Sequence, residues 1–158
     1  MKRKEFIFTA VVLLIAFIGI TIFKNRKYSR QNNSSIVVAK SDSAQAFWAY
    51  YNQGTQYRLQ DKSDSAIISY QEALKLNPDH KDALYYIGNM YMNVGQFDKA
   101  RESWEKLTEL NPQSERAFNQ LGNLYFCTTH PNYFRPEKSK FYFERAYDLN
   151  KEAINPTL

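Results

Sequence analysis

The sequence has few of the residues that build catalytic and metal sites. Its 158 residues include one cysteine and two histidines. A single thiol excludes an internal disulfide, and Cys127 with His130 falls short of the ligand set that a zinc site needs. His80 stands in an Asn-Pro-Asp-His turn, where a solvent-facing residue is expected rather than a catalytic base. No glycine-rich phosphate loop, Ser-His-Asp set or pair of carboxylates stands out. We therefore expect no enzyme, no cofactor and no bound metal.

An excess of one charge is also lacking over most of the chain. The net charge of +5 arises in residues 1–30, which hold seven Lys/Arg and one acidic residue, while the remaining 14 basic and 15 acidic residues are interspersed. Nucleic acid recognition requires basic residues clustered on a folded face. We therefore expect no nucleic acid partner.

Long apolar runs are absent except near the beginning. Residues 6–23 form 18 residues without a charge, enough to cross roughly 27 Å of hydrocarbon as a helix. No small-residue cleavage site follows directly, which favours an uncleaved anchor over a secretory signal. The sequence thus predicts a basic tail at residues 1–5, a single-pass transmembrane anchor at 6–23 and a polar linker at 24–43. We expect the rest of the chain on the extracytoplasmic side, because a short N-terminal tail is the easier end to leave behind.

What the chain does contain is a repeat. A glycine followed three residues later by a tyrosine recurs every 34 residues. The three pairs are Gly54 with Tyr57, Gly88 with Tyr91, and Gly122 with Tyr125. In the first two units a small residue, an aromatic residue and a proline follow at matching offsets. These residues are Ala66, Tyr70 and Pro78 in the first unit, and Ala100, Trp104 and Pro112 in the second.

The pattern resembles the tetratricopeptide repeat family. The resemblance implies an all-α solenoid of three helical hairpins over residues 44–158, with repeats at about 47–80, 81–114 and 115–153. The offsets also have a physical basis, because two helix axes approach closely only where side chains are small. Each Asn-Pro pair then ends a second helix, since proline disfavours the helical conformation of the residue before it.

The third unit departs from the pattern. Ser139 is its small residue, 39 positions beyond Ala100 rather than 34, so five residues are inserted in the loop at residues 127–136. Two interpretations of this loop remain open. Either Tyr133 and Phe134 pack against the hairpin, or the loop adds a contact surface, as long insertions in tight repeats often do.

The family resemblance also implies a binding groove. It assigns to the groove the second, fifth, ninth and twelfth positions of each first helix, which fall on one helical stripe. These positions are Trp48, Tyr51, Thr55 and Arg58 in the first unit, Asp82, Tyr85, Asn89 and Met92 in the second, and Arg116, Asn119, Asn123 and Phe126 in the third. Asn89 and Asn123 offer a donor and an acceptor together to the backbone of an extended peptide. We therefore expect a protein or peptide partner.

One subtype of the family is disfavoured. Its members hold the acidic C-terminal tail of heat-shock chaperones with lysine, asparagine and arginine at fixed positions. At the matching places this chain has Tyr51, Thr55, Tyr86, Arg116 and Gln120. Only Arg116 fits, so the sequence does not predict a carboxylate-clamp co-chaperone.

The combined prediction is a membrane-anchored interaction scaffold of a bacterial envelope. The alternatives are a cytosol-facing receptor of an organelle outer membrane that binds client proteins and, ranked lower, an enzyme that uses the inserted loop. Only residues 151–158 follow the second helix of the third unit, too few for another full helix. An uncovered edge there predicts self-association, coverage by a partner, or a chain that is part of a longer array.

Overall fold

The computed structural model describes residues 20–26, 42–127 and 130–154 of the chain. The chain divides into two compact units, Met1–Ser43 and Ala44–Leu158. Within Met1–Ser43, residues 20–26 are helical and their side chains are exposed. The repeats lie within Ala44–Leu158.

The repeats fold entirely as helices, and the described residues contain no strand. The helices are α1 (42–59), α2 (Ser63–Leu76), α3 (Lys81–Asn93), α4 (Phe97–Leu110), α5 (Glu115–Tyr125) and α6 (Pro136–Ile154). The odd-numbered helices are the first helices of the three hairpins, and the even-numbered ones are the second. Helices α2 and α4 each also contact the first helix of the next hairpin, α3 and α5 respectively. The predicted all-α solenoid of three units is therefore confirmed.

The glycines lie where the two helices of each hairpin meet. A Cβ atom on Gly88 would lie only 2.8 Å from Cδ1 of Trp104, which is fully buried. The same close approach joins Gly54 to the ring of Tyr70 and Gly122 to the ring of Phe143. A residue larger than glycine would separate the two helices. The prediction that the helices approach closely where side chains are small is therefore confirmed.

The turns between paired helices share one geometry. Asp61 and Gly95 stand 34 positions apart and adopt positive φ values of 57° and 75°. The amide that follows each of them donates to the carbonyl of a tyrosine in the preceding helix, from Lys62 to Tyr57 at 3.0 Å and from Gln96 to Tyr91 at 2.8 Å. Such left-handed residues satisfy carbonyl groups at the end of a helix.

The inserted loop of the third unit packs against the preceding hairpin. The ring of Phe97 lies 5.3 Å from the ring of Tyr133 and 4.2 Å from the ring of His130, measured between centroids. Burial and a hydrogen bond to Asp98 raise the pKa of Tyr133 to about 12. Packing of Tyr133 is therefore confirmed, whereas Phe134 is exposed. Residues 128–129 of this loop lie outside the described residues.

The predicted membrane localisation is contradicted. Within the ranges that the structure describes, no helix has the length and apolar character needed to cross a membrane. On this finding, the prediction of a single-pass protein with an extracytoplasmic repeat domain is wrong. The two predicted locations, a bacterial envelope and an organelle outer membrane, both depended on a membrane span. Residues 1–19, with most of the predicted anchor, and linker residues 27–41 lie outside the described residues.

Candidate functional site

The predicted stripe residues of α3 and α5 form direct contacts. The guanidinium group of Arg116 on α5 forms an ion pair with Asp82 on α3 and lies 4.5 Å from the ring centroid of Tyr85. The Gln120 amide donates to the Tyr85 hydroxyl at 3.4 Å. These contacts place Arg116, the second-position residue of the third unit, beside the second-position and fifth-position residues of the second unit.

The stripe residues of α1 contact α2 and α3. The guanidinium group of Arg58 lies 4.4 Å from the ring centroid of Tyr86. The Thr55 hydroxyl donates to the carbonyl of Tyr51 at 3.0 Å and lies 3.1 Å from the hydroxyl of Tyr70 on α2. Thr55 is therefore satisfied within the hairpin. Burial, and next the charge of Asp82, raise the pKa of the Tyr51 phenol, so this hydroxyl stays protonated.

A polar cavity of about 380 Å³ lies beside Arg58. Three of the predicted groove residues line it, namely Arg58, Asn89 and Met92, together with Gln120. Arg58 Nε and Asn89 Oδ1 are buried there and have no hydrogen-bond partner within the described part of the chain. One is a donor and the other an acceptor. A buried polar atom without a partner is costly, on the order of 1–3 kcal/mol. A ligand in this cavity can supply the missing acceptor and donor when the Arg58 and Asn89 side chains turn towards it.

The remaining predicted residues are less closely connected. Trp48 is 51% exposed and makes an edge contact with Tyr51, with ring centroids 5.6 Å apart. Asn119 donates to Glu115 of its own helix at 2.8 Å. Asn123 and Phe126, near the end of α5, are exposed. The structure thus brings together a central set from the three helices, and it leaves Trp48, Asn119, Asn123 and Phe126 outside that set.

Sequence reasoning gave His80 the wrong environment. Its Nδ1 atom accepts from the Ala83 amide at 3.2 Å and so caps α3. Its ring is half-buried, with centroids 4.6 Å from Phe47 and 5.2 Å from Tyr51. The expected solvent-facing residue is therefore a cap that packs against α1. Its place directly before the first turn of α3 was the signal, because that position favours side-chain acceptors.

Two residues outside the predicted stripe also belong to the groove. Gln120 lines the cavity, and Tyr86 supports the Arg58 guanidinium. Gln120 lies four residues after Arg116 and therefore on the same face of α5, which the sequence could have indicated. Tyr86 lies one position off the predicted stripe, although the comparison with the carboxylate-clamp subtype had placed both Tyr86 and Gln120 at peptide-binding positions.

The site offers recognition chemistry. It presents hydrogen-bond donors, acceptors and aromatic faces from three parallel first helices. Among the described residues, no group of three or more His, Cys, Asp or Glu side chains is arranged to hold a metal ion.

Family comparison identifies the first two units. Residues 47–80 and residues 81–114 each match a model of the tetratricopeptide repeat. These two units are tetratricopeptide repeats. Repeats of this kind typically act as non-enzymatic scaffolds that mediate interactions between proteins. No match was found among curated protein sequences.

Several solved structures are similar in fold to this chain. A crystal structure of MamA shares 28% sequence identity with a TM-score of 0.63, covering 69% of this chain and 61% of MamA. The chain thus spans about three fifths of the length of that neighbour. The first tetratricopeptide domain of Spaghetti (RPAP3), bound to the HSP90 peptide SRMEEVD, shares 22% identity with a TM-score of 0.60, covering 71% of this chain and 87% of that one. The Arabidopsis OM64 tetratricopeptide domain shares 16% identity with a TM-score of 0.62, covering 70% and 87%. These last two likenesses show the fold alone.

Proposed function

We propose that the three repeats together bind an extended segment of a partner protein along the stripe formed by α1, α3 and α5. The observation that carries this proposal is that two residues lining the central cavity each have a buried atom without a hydrogen-bond partner, Arg58 Nε and Asn89 Oδ1. A peptide bond supplies both missing partners, because its carbonyl accepts from the arginine and its N–H donates to the asparagine. The ligand therefore recovers hydrogen bonds that the unbound chain lacks.

The surroundings of the cavity support a peptide with mixed side chains. Met92 provides an adaptable apolar contact. Tyr51 and Tyr85 offer flat faces with polar tips, a combination that is enriched at binding hot spots. Asp82 and Arg116 form an ion pair, and one basic and one acidic residue, Arg58 and Asp61, line the cavity, so the groove does not call for a strongly charged ligand.

An acidic chain terminus is a poor fit to this groove. A carboxylate only accepts hydrogen bonds and cannot satisfy an asparagine oxygen. Thr55 is already engaged with Tyr70, and aromatic residues stand at Tyr51 and Tyr86. The HSP90 peptide of the Spaghetti domain is therefore not the proposed ligand here.

The test uses two asparagines of the same stripe. Full-length chain is screened on an array of unstructured peptides, and the peptides it binds are measured with Asn89→Ala and Asn119→Ala. Asn89→Ala should weaken binding at least about tenfold, because a buried hydrogen bond to the ligand is lost. Asn119 already donates to Glu115, so its variant serves as the matched control. Equal affinities for the two variants, with both folded, would contradict the proposal.

The predicted self-association through the edge of α6 stays a separate proposal. Tyr147 is 68% exposed, whereas Leu74, at the same position of the first hairpin, packs against the core. Sedimentation of the full chain and of Tyr147→Ser tests this edge. A concentration-dependent mass that Tyr147→Ser abolishes would support it, and identical monomeric profiles would exclude it.

A further inference from the structure

A second cleft lies between α2 and α4 and shares no residue with the groove. Its volume is about 630 Å³. The floor consists of Leu84, Ile87 and Tyr91 of α3, which are all nearly buried. Ser103 of α4 lies at its wall. The floor is therefore apolar, and only a few per cent of each of these three side chains is exposed.

The third unit shows what fits into such a cleft. The counterparts of Leu84 and Tyr91, 34 residues on, are Phe118 and Tyr125, and the counterpart of Ser103, 39 residues on, is Tyr142. The ring of Tyr142 stacks on Tyr125 with centroids 5.7 Å apart and planes within 6°, and it lies 6.3 Å from Phe118. The third unit thus covers its own floor with an aromatic ring. In the second unit the serine is too short to do so.

The rim of the second-unit cleft is mainly basic. Lys75, Lys99 and Lys106 line it, against one acidic residue, Glu102. Lys75 and Lys106 already have carboxylate partners. Lys99 donates to Gln96 and lies 5.5 Å from the ring centroid of Tyr91, and no carboxylate of the described chain lies within 4.0 Å of it. A ligand at the rim can therefore place a carboxylate beside Lys99, and the Lys99 ammonium group can donate a hydrogen bond to it.

We propose that this cleft binds a segment of a partner protein that inserts one aromatic side chain over Leu84, Ile87 and Tyr91 and places an acidic residue beside Lys99. The ring takes the place that Tyr142 occupies in the next unit, with offset stacking on Tyr91. The neighbouring carboxylate gains a charge-assisted hydrogen bond from Lys99. The site is independent of the groove and does not rest on the function proposed for it.

The decisive variant is Ser103→Tyr, which supplies the ring from within. It should behave as Tyr142 does, so the melting temperature should rise by a few degrees while the cleft closes. Ser103→Ala is the matched control, because it removes the same hydroxyl and leaves the cleft open. The probe is a displayed library of random peptides, selected on the full chain and measured against both variants.

The expected result is a set of peptides that bind the full chain and Ser103→Ala but bind Ser103→Tyr at least about tenfold more weakly. Their shared feature should be an aromatic residue next to Asp or Glu, and Lys99→Glu should weaken them severalfold. Asn89→Ala should leave their affinity unchanged. If no selected peptide distinguishes Ser103→Ala from Ser103→Tyr, or if the distinguishing peptides lack an aromatic residue or an acidic one, the proposal is wrong.

A second variant tests the same idea without closing the cleft. Tyr142→Ser should expose the corresponding floor of the third unit and so raise the stoichiometry of bound peptide from one to two per chain. An unchanged stoichiometry in a folded Tyr142→Ser protein would count against the proposed recognition of the floor. The two variants act in opposite directions, so a folding failure in one leaves the other as a test.

Discussion

Trp104 is the side chain on which the middle hairpin depends most. It is fully buried against Gly88, and its indole N–H donates to the Tyr85 carbonyl at 3.4 Å. Trp104→Ala should lower the free energy of unfolding by about 3–5 kcal/mol, because the surrounding helices cannot close the cavity. Urea unfolding measures the effect. The chain's other tryptophan, Trp48, is half-exposed, so Trp48→Ala should cost about 1 kcal/mol or less, and equal losses would contradict the assignment.

Tyr133 gives the inserted loop a pH dependence at high pH. Burial and the contact with Asp98 raise its pKa to about 12 from 10.0. The folded state therefore favours the protonated phenol, and the resulting stabilisation is present below pH 10 and lost as the pH rises through about 12. Asp98→Asn should lower this pKa, because it removes the nearby negative charge. Titration of tyrosinate absorbance, with Tyr133→Phe to identify the step, checks the prediction, and a step that Asp98→Asn leaves in place would contradict it.

At the scale of single residues, the sequence predicts packing better than binding. The pairing of Gly88 with Trp104 follows from a fixed offset along two helices, so it could be foreseen. The unpartnered atoms of Arg58 and Asn89 could not, because they depend on how far α1 lies from α3. The sequence shows that Ser103 and Tyr142 differ in size. Only the structure shows that these two residues lie over equivalent apolar residues of successive units.

The turns are the elements that determine how each hairpin closes. Gly95 has a φ of 75°, and an added Cβ atom would meet nothing within 4 Å. Gly95→Ala should therefore lower the free energy of unfolding by about 1 kcal/mol through backbone strain alone. Asp61→Gly, at the equivalent turn, relieves such strain and should not destabilise the protein. Urea midpoints for the two variants provide the measurement, and a loss of stability in Asp61→Gly would exclude this account.

The ends of most helices could be predicted, and the third turn could not. Asn77 and Asn111 precede prolines and end α2 and α4 as expected. The inserted loop lacks the residue pattern that fixes the other turns. Its course depends on Tyr133 meeting Phe97 across hairpins, a contact that no local signal in the sequence marks.

Across the whole repeat unit, apolar contacts hold neighbouring hairpins together. Leu84, Leu107 and Ala117 form a buried cluster that joins the second hairpin to the third. Leu107→Ala should lower the free energy of unfolding by about 2–5 kcal/mol. Arg116→Ala removes a half-exposed ion pair and should change it by about 0.5 kcal/mol or less. Denaturation at low and high salt checks both, and a strong salt dependence of the wild-type chain would show that ionic links dominate instead.

The architecture of the whole molecule was the most predictable level. A 34-residue period in glycine and tyrosine is enough to indicate stacked hairpins, because each unit must bury its apolar faces against its neighbours. The localisation prediction failed because it rested on the apolarity of a run of residues alone. Among the described residues, no helix combines the length and apolar character that a membrane span needs.

The ion pair between Asp82 and Arg116 weakly favours one order of the second and third hairpins. These residues occupy the same position of successive units, and the first unit has Trp48 there. A tandem duplication of residues 81–114 would preserve the period but would set Asp82 opposite the aspartate of its own copy, where like charges repel. An exchange of repeats within this chain is therefore not neutral, because it replaces an attractive pair of opposite charges with a repulsive pair of aspartates.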